Sequence, residues 1–162
     1  MPTPTYIPLQ TITLASAASS VTFASIPQTY RDLVLVVAGS SIPLYYLRVN
    51  EDSGSNYNAI GMKARSNGVF SYTDSNFPQI YVNGNPGGWL DSQIQLLDYS
   101  ATDKQKSMII RNGNYDGILS SITAVAIAAR WANTNAVTSI LVSTNSSTFA
   151  VGATFSLYAI EA

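Results

Sequence analysis

The sequence predicts an all-β protein, a single-domain antiparallel β-sandwich of the jelly-roll type. Short runs of β-branched or alternating apolar residues recur along the chain, and turn-forming residues separate them roughly every ten positions, as in sandwiches and jelly rolls. Charged residues make up only 10% of the 162 residues, whereas exposed helices usually carry many Glu and Lys. The hydrophobic share of 46% supplies one core, so we expect one domain.

Residues 1–5 predict an extended arm that precedes the sandwich domain at residues 6–162. Pro2 and Pro4 fix φ and lack the backbone N–H, so this stretch cannot join a sheet as a regular paired strand. We therefore expect the arm to contact a neighbouring subunit or an underlying shell instead of packing on its own domain. The predicted contact residues are Met1, Pro2, Thr3, Pro4 and Thr5.

The first third of the chain predicts four strands. The alternation at residues 6–14 continues at residues 21–23 after a turn of small residues, which predicts a hairpin. Residues 33–38 are apolar at successive positions, which predicts a strand covered on both faces. Residues 44–49 predict another strand, and it ends in the turn-rich loop 50–56.

The middle of the chain, residues 58–88, shows no regular pattern and is expected to be irregular. Asn67-Gly68 and Asn83-Gly84 predict tight turns, because both residue types tolerate positive φ. Only residues 79–82 predict a strand there.

The rest of the chain again predicts strands. They lie at residues 93–96, 107–111, 118–131, 138–143 and 154–160. Asn112-Gly113 and Asp116-Gly117 are expected to close the second of them. In the last, Phe155, Leu157 and Ala159 share one face.

One of these strands is ambiguous, since residues 118–131 also fit a helical stripe and alanine favours helix. We predict a strand because Thr123, Val125 and Ile127 alternate with small residues and no helical cap follows.

The chain contains no cysteine and no histidine. A Ser-His-Asp triad, a cysteine nucleophile, a histidine base and an ordinary zinc site are therefore excluded. No convergent set of polar residues stands out elsewhere, so we expect a protein that is not an enzyme and has no cofactor.

The net charge of −1 is spread without a basic patch. Lys63 with Arg65, and Lys104 with Lys106, form two small pairs that we interpret as solvated loop charges, so no nucleic-acid partner is expected. The longest apolar run, residues 33–38, is too short to cross a bilayer, and the first residues lack the features of a signal peptide. We expect neither a membrane partner nor ordinary secretion.

The loop at residues 52–56 offers oxygen ligands, as a calcium loop does. It lacks the bidentate Glu and the regular ligand spacing of such a loop. We predict no metal site there, but an Asx-type turn in which Gly54 takes a positive φ.

Three aromatic residues are candidates for a contact surface. Tyr45 and Tyr46 are adjacent, so they point to opposite faces of a regular strand, and at least one is expected to face outward. Trp89 follows the break at Pro86-Gly87-Gly88 and is the best candidate for an exposed anchor, although a place in the core stays open for it.

Several segments resemble a family of small virion proteins of tailed bacteriophages. The similar segments are residues 9–13 (LQTIT), 21–33 (VTFASIPQTYRDL), 47–50 (LRVN), 52–57 (DSGSNY), 136–140 (AVTSI), 152–153 (GA) and 157–160 (LYAI), with Trp131, Thr134 and Phe149. The resemblance is weak between residues 62 and 89, and Ala159 stands where the family often has glycine. These motifs are structural, so they speak for the fold more than for a task.

The family consists of jelly-roll or sandwich modules that serve as capsid decoration (cement) proteins or as parts of tail appendages. The resemblance thus implies a homotrimer that binds the major capsid protein on the outer capsid surface of the virion and is made in the cytoplasm of a host bacterium. The alternative is a tail-tip or fibre module that binds a host-surface glycan.

Overall fold

Side chains that point alternately inward and outward are the main pattern of this chain. In β10, for example, every second residue is buried along the whole strand. The computed structural model describes residues 5–82, 85–115 and 123–161, with the backbone alone considered at 85–87 and 115. The described residues form β1 (Tyr6–Thr13), β2 (Ser20–Phe23), β3 (Asp32–Ile42), β4 (Tyr45–Val49), β5 (Tyr57–Arg65), β6 (Gly68–Phe77), β7 (Ile80–Val82), β8 (Asn85–Leu97), β9 (Lys106–Tyr115), β10 (Thr123–Trp131), β11 (Ile140–Thr144) and β12 (Thr154–Ile160).

The strands form two antiparallel sheets of unequal width. The large sheet has eight strands in the order β1-β12-β3-β8-β9-β10-β5-β6, and the small sheet has four in the order β2-β11-β4-β7. The two sheets pack as a sandwich, which confirms the all-β prediction, while the jelly-roll type stays a prediction. Among the described residues no helix occurs that is long and apolar enough to cross a membrane.

The core lies between the two sheets. Leu33, Leu35 and Val37 of β3 are completely buried at the centre of the large sheet. Phe155, Leu157 and Ala159 of β12 are buried beside them, as the sequence predicts. The other face of β3 is covered only in part, because Val34 is buried whereas Val36 and Ala38 are half-buried.

The predicted hairpin of residues 6–14 and 21–23 is wrong. β1 pairs with β12 in the large sheet, and β2 pairs with β11 in the small sheet. The small residues between β1 and β2 therefore carry the chain from one sheet to the other. Alternation reveals that a segment is a strand, but the partners of these two strands come from the opposite end of the chain.

The predicted irregularity of residues 58–88 is also wrong, because β5, β6, β7 and the start of β8 occupy it. The residues of β6 do not alternate clearly between apolar and polar. β6 is an edge strand of the large sheet, so most of its residues are exposed. The turn at Asn67-Gly68 is confirmed: it joins β5 to β6, and Gly68 has φ +139°. Asn83-Gly84 lies outside the described residues.

β9 and β10 correct the prediction for this part of the chain. Asn112-Gly113 lies within β9 and does not close it. Residues 123–131 form a strand, as predicted, whereas Asp116-Gly117 and residues 118–122 lie outside the described part.

Gly61 of β5 provides space for an aromatic ring. It pairs with Tyr72 of β6, and a Cβ added at Gly61 would come within 2.4 Å of the Tyr72 ring. The tyrosine side chain therefore lies over the bare backbone of the glycine and packs against the core cluster. An aromatic ring that covers a cross-strand glycine pins the register of a strand pair at the edge of a sheet.

Gly61→Ala is expected to destabilise the protein by about 1–3 kcal/mol, because the new methyl group must displace the Tyr72 ring. Gly113→Ala is the matched control, since nothing lies within 4 Å of the added Cβ there. We expect that control to be neutral or slightly stabilising. Urea unfolding measures both, and equal midpoints for the two variants would contradict the role of Gly61.

Candidate functional site

The outer face of the large sheet is exposed over β9, β10, β5 and β6. Register places its residues in rows that cross these strands. One row contains Ile109, Ala128, Ile60 and Thr73, and the next contains Arg111, Ala126, Met62 and Ser71. A third row contains Gly113, Ala124, Ala64 and Val69. All of these side chains are exposed, so this half of the sheet presents a mostly apolar surface to its surroundings.

A groove runs along the middle of this surface. Its floor is formed by small side chains of β10, and larger side chains on the neighbouring strands form its walls. We call it the alanine groove, and it comprises Ala124, Ala126 and Ala128 between the walls Ile60 and Met62 of β5 and Ile109 and Arg111 of β9.

The alanine groove carries little charge. Its one charged residue is Arg111, whose Nη2 donates a hydrogen bond to Gln93 Oε1 at 3.0 Å. The arginine therefore already has a hydrogen-bond partner on β8, but Gln93 is neutral, so one positive charge remains at the wall of the groove. The rest of the groove is neutral and apolar, which favours an apolar partner.

Exposed apolar side chains concentrate on this face. Of the nine large apolar side chains that are exposed in the described part of the chain, six belong to the outer face of the large sheet. These six are Tyr6, Ile60, Met62, Val69, Trp89 and Ile109. A monomeric protein rarely exposes a large contiguous apolar patch unless something binds there.

Trp89 is exposed, as the anchor hypothesis requires. It lies on β8 on the same outer face, paired with Ser40 of β3, and 67% of its surface is accessible. Its neighbour Leu90 points inward and is completely buried. Whether Trp89 contacts a partner stays a prediction.

Neither Tyr45 nor Tyr46 is exposed at the surface, contrary to the prediction, because both side chains are buried. Tyr45 packs in the core with its ring 6.0 Å from that of Phe149. Tyr46 does point to the opposite face, but Tyr81 covers it edge-on at 5.5 Å. Tyr81 belongs to β7, and the sequence gives no sign that β7 pairs beside β4.

The predicted arm is described only at its last residue. The carbonyl of Thr5 accepts a hydrogen bond from the Glu161 amide at 3.4 Å, next to the pairing of β1 with β12. Met1, Pro2, Thr3 and Pro4 lie outside the described residues, so the contact expected of the arm stays a prediction.

The oxygen-rich loop after β4 uses its carboxylate internally. Asp52 Oδ2 accepts hydrogen bonds from Trp131 Nε1 at 2.6 Å and from Asn56 Nδ2 at 2.9 Å. Asp52 Oδ1 accepts one from the Gly54 amide at 2.8 Å, which confirms the Asx-type turn. Gly54 does not take a positive φ, however. In this loop the residues with a left-handed backbone conformation are Asn50 and Glu51.

The electrostatics of Asp52 follow from these contacts. Its partial burial would raise the pKa of the carboxyl, but the hydrogen bonds from Trp131, Asn56 and the Gly54 amide outweigh it and hold the pKa below its ordinary value. The described residues contain no group of three or more acidic side chains that could hold a metal ion.

Asn50 holds the neighbouring loop in the same way. Its Nδ2 donates to the Ala136 carbonyl at 2.7 Å, and its Oδ1 accepts from the amides of Thr138 and Ser139. The loop 50–56 leads from the small sheet to the large one, and residues 132–139 lead back. Asn50 and Asp52 therefore connect these two crossings, the loop 50–56 and the segment that starts at the end of β10.

Lys106 is not the solvated loop charge that the sequence suggested. It is completely buried, and its Nζ donates to the carbonyls of Ala101, Lys104 and Thr134 at 2.6–3.1 Å. Burial lowers the pKa of this ammonium group, and the three carbonyls replace the water that it loses. Lys104 is exposed, as predicted, and its Nζ lies 3.4 Å from Asp98 Oδ2 in a surface ion pair.

Sequence reasoning missed both Lys106 and the alanine groove. The groove had a signal: if Thr123, Val125 and Ile127 face the core, the alanines between them must line the other face. Lys106 had none, because its burial depends on how the loop just before it folds back and on the carbonyl of Thr134 from a distant loop.

No family model, no curated protein and no solved structure matches this chain.

Asp52→Ala is expected to lower the free energy of unfolding by about 2–4 kcal/mol, because three donors lose a charged acceptor. The matched control is Asp91→Ala, which removes an exposed carboxylate from the outer face of β8. We expect the control to change stability by less than about 0.5 kcal/mol. Chemical denaturation compares the two, and similar small losses would contradict the role of Asp52.

The same carboxylate should make stability depend on acid pH. Its pKa is lower in the folded protein than the ordinary value of 3.8, so its contribution is complete above 3.8 and disappears as pH falls through the folded value. We expect wild-type stability to fall more steeply below pH 4 than that of Asp52→Asn. Thermal unfolding across this range measures the difference, and parallel curves would refute it.

Proposed function

We propose that this chain is a capsid decoration protein that binds the outer surface of a tailed-phage head and stabilises the shell through protein–protein interfaces. The observation that carries the proposal is the concentration of exposed apolar side chains on one face of the large sheet. The resemblance of the sequence to tailed-phage virion proteins supplies the kind of particle.

Surface burial is the mechanism of such a protein. Each square ångström of apolar surface that leaves water contributes about 25 cal/mol, and a stable interface buries about 1,200–2,000 Å² in total. With 67% of its surface accessible, Trp89 has the size and polarity of the side chains that dominate such interfaces. The homotrimer that the resemblance implies stays a prediction.

A tail-tip or fibre module that binds a host-surface glycan is the second candidate. The observation that favours it is again the exposed indole of Trp89, since aromatic faces stack on sugars. The copy number in the purified particle separates the two. A decoration protein is present in proportion to the capsid subunits, whereas a tail module is present in a small fixed number.

Binding to empty capsids tests the leading candidate directly. Trp89→Ala and a chain that begins at Tyr6 are both expected to keep the thermal midpoint of the wild type but to occupy capsids more weakly. Val151→Ser is the matched control, because Val151 is 62% accessible but lies in the turn before β12 and not on a strand of the apolar face. The control should bind as the wild type does.

Co-sedimentation with capsids measures the occupancy of each variant. Unchanged occupancy for both Trp89→Ala and the shortened chain would refute their roles in shell binding. A large loss of stability in the shortened chain would mean that the arm belongs to the domain.

A further inference from the structure

We infer that the alanine groove is the contact between two copies of this chain, related by a two-fold axis that runs parallel to the strands between β10 and β5. This contact uses β9, β10, β5 and β6 and leaves Trp89 and Tyr6 of the same face for shell binding, so it goes beyond the function proposed above. It differs from the trimer that the resemblance implies.

The inference rests first on shape. A two-fold axis in this position sets β10 of one copy over β5 of the other and keeps every row in register. Ile60 then meets Ala128 of the second copy, and Met62 meets its Ala126. The wall of each copy thus fills the groove of the other, as large and small side chains alternate across a packed interface.

The neighbouring strands fit in the same arrangement. The axis sets β9 of one copy over β6 of the other, so that the exposed Val69 meets Gly113 of the second copy. Nothing lies within 4 Å of a Cβ added at Gly113, so there is room for the valine. Ile109 meets Thr73 of the second copy, which again pairs a larger side chain with a smaller one.

Charge weakens the pair without preventing it. Arg111 faces Ser71 of the second copy, and Arg130 faces its Asn58, so neither arginine gains an acidic partner. The two copies of Arg111 are about three strand widths apart, or roughly 14 Å. The two copies of Arg130 are only about one strand width apart along the sheet, at one end of the face, so their repulsion contributes to a weak dimer.

The size of the face indicates a weak, concentration-dependent dimer. Four strands at about 4.8 Å and seven residues at about 3.3 Å give a face of roughly 19 by 23 Å. Two such faces bury on the order of 900 Å², close to the lower limit of about 1,000 Å² for a specific interface. Trp89 lies on β8 outside these four strands, so it stays accessible to another partner.

Sedimentation equilibrium on the full chain, from micromolar to several hundred micromolar, tests the contact without any capsid. We expect a monomer–dimer equilibrium in the wild type. Ala126→Arg should weaken it by about tenfold or more, because an unpaired charge would be buried. Thr22→Arg, at an exposed position in the middle of β2, is the matched control and should dimerise normally.

Cross-linking tests the position of the axis. The chain has no cysteine, so Val69→Cys combined with Gly113→Cys introduces the only thiols. Within one chain these positions lie three strands apart, or roughly 14 Å, whereas in the proposed pair they face each other across sheets that are roughly 10 Å apart. That separation is too long for a disulfide, so the test uses a short thiol-specific cross-linker that reaches only between facing side chains. We expect it to give a covalent dimer. Val69→Cys with Thr22→Cys carries as many thiols and should stay monomeric under the same conditions.

Each result decides the inference. A dimer that Ala126→Arg disrupts, together with the covalent dimer, supports it. A monomer at every concentration, a trimer, or a dimer that is insensitive to Ala126→Arg overturns it. A sensitive dimer that the short reagent does not cross-link overturns the proposed axis. Failure to bind capsids leaves these results unaffected, so the two proposals fail separately.

Discussion

The carboxylate of Asp52 joins two of the places where the chain crosses between its sheets, the loop 50–56 and the end of β10. It binds the indole of Trp131 at the end of β10, while Asn50 in the same loop binds the backbone that leads on to β11. The ammonium group of Lys106 ties that second crossing to a third loop. These contacts fix how a sheet of eight strands sits on a sheet of four, because apolar packing alone has no direction.

The positions of the few charged residues and the apolar character of the outer face are connected. The sequence has few charges, and two of them, on Asp52 and Lys106, serve the loops at one end of the sandwich. The outer face of β9, β10 and β5 is left with alanines and larger apolar side chains. A face of this kind suits a protein whose work is to lie against other protein surfaces, which is the function proposed for it.

The fold class could be predicted because alternation and turn residues are local properties of the sequence. The all-β sandwich and strands such as β12 follow from them. Strand partners could not be predicted, since β1 and β2 pair with strands from the other end of the chain. For the same reason the sequence predicts that Tyr45 or Tyr46 faces outward, although both are buried: β7, whose Tyr81 covers Tyr46, lies far away in sequence. Trp89 is exposed as predicted, but the break predicted at Pro86-Gly87-Gly88 is wrong, because β8 runs through these residues.

The edge strand β1 bears on how such a protein avoids aggregation. Pro8 removes a backbone donor from this strand, and the register shifts by one residue between Pro8 and Gln10. Both features hinder a further chain from adding to this edge of the sheet and extending it into a fibril. A protein with an exposed apolar face is thus hindered from open-ended growth at this edge, which leaves contacts made face to face.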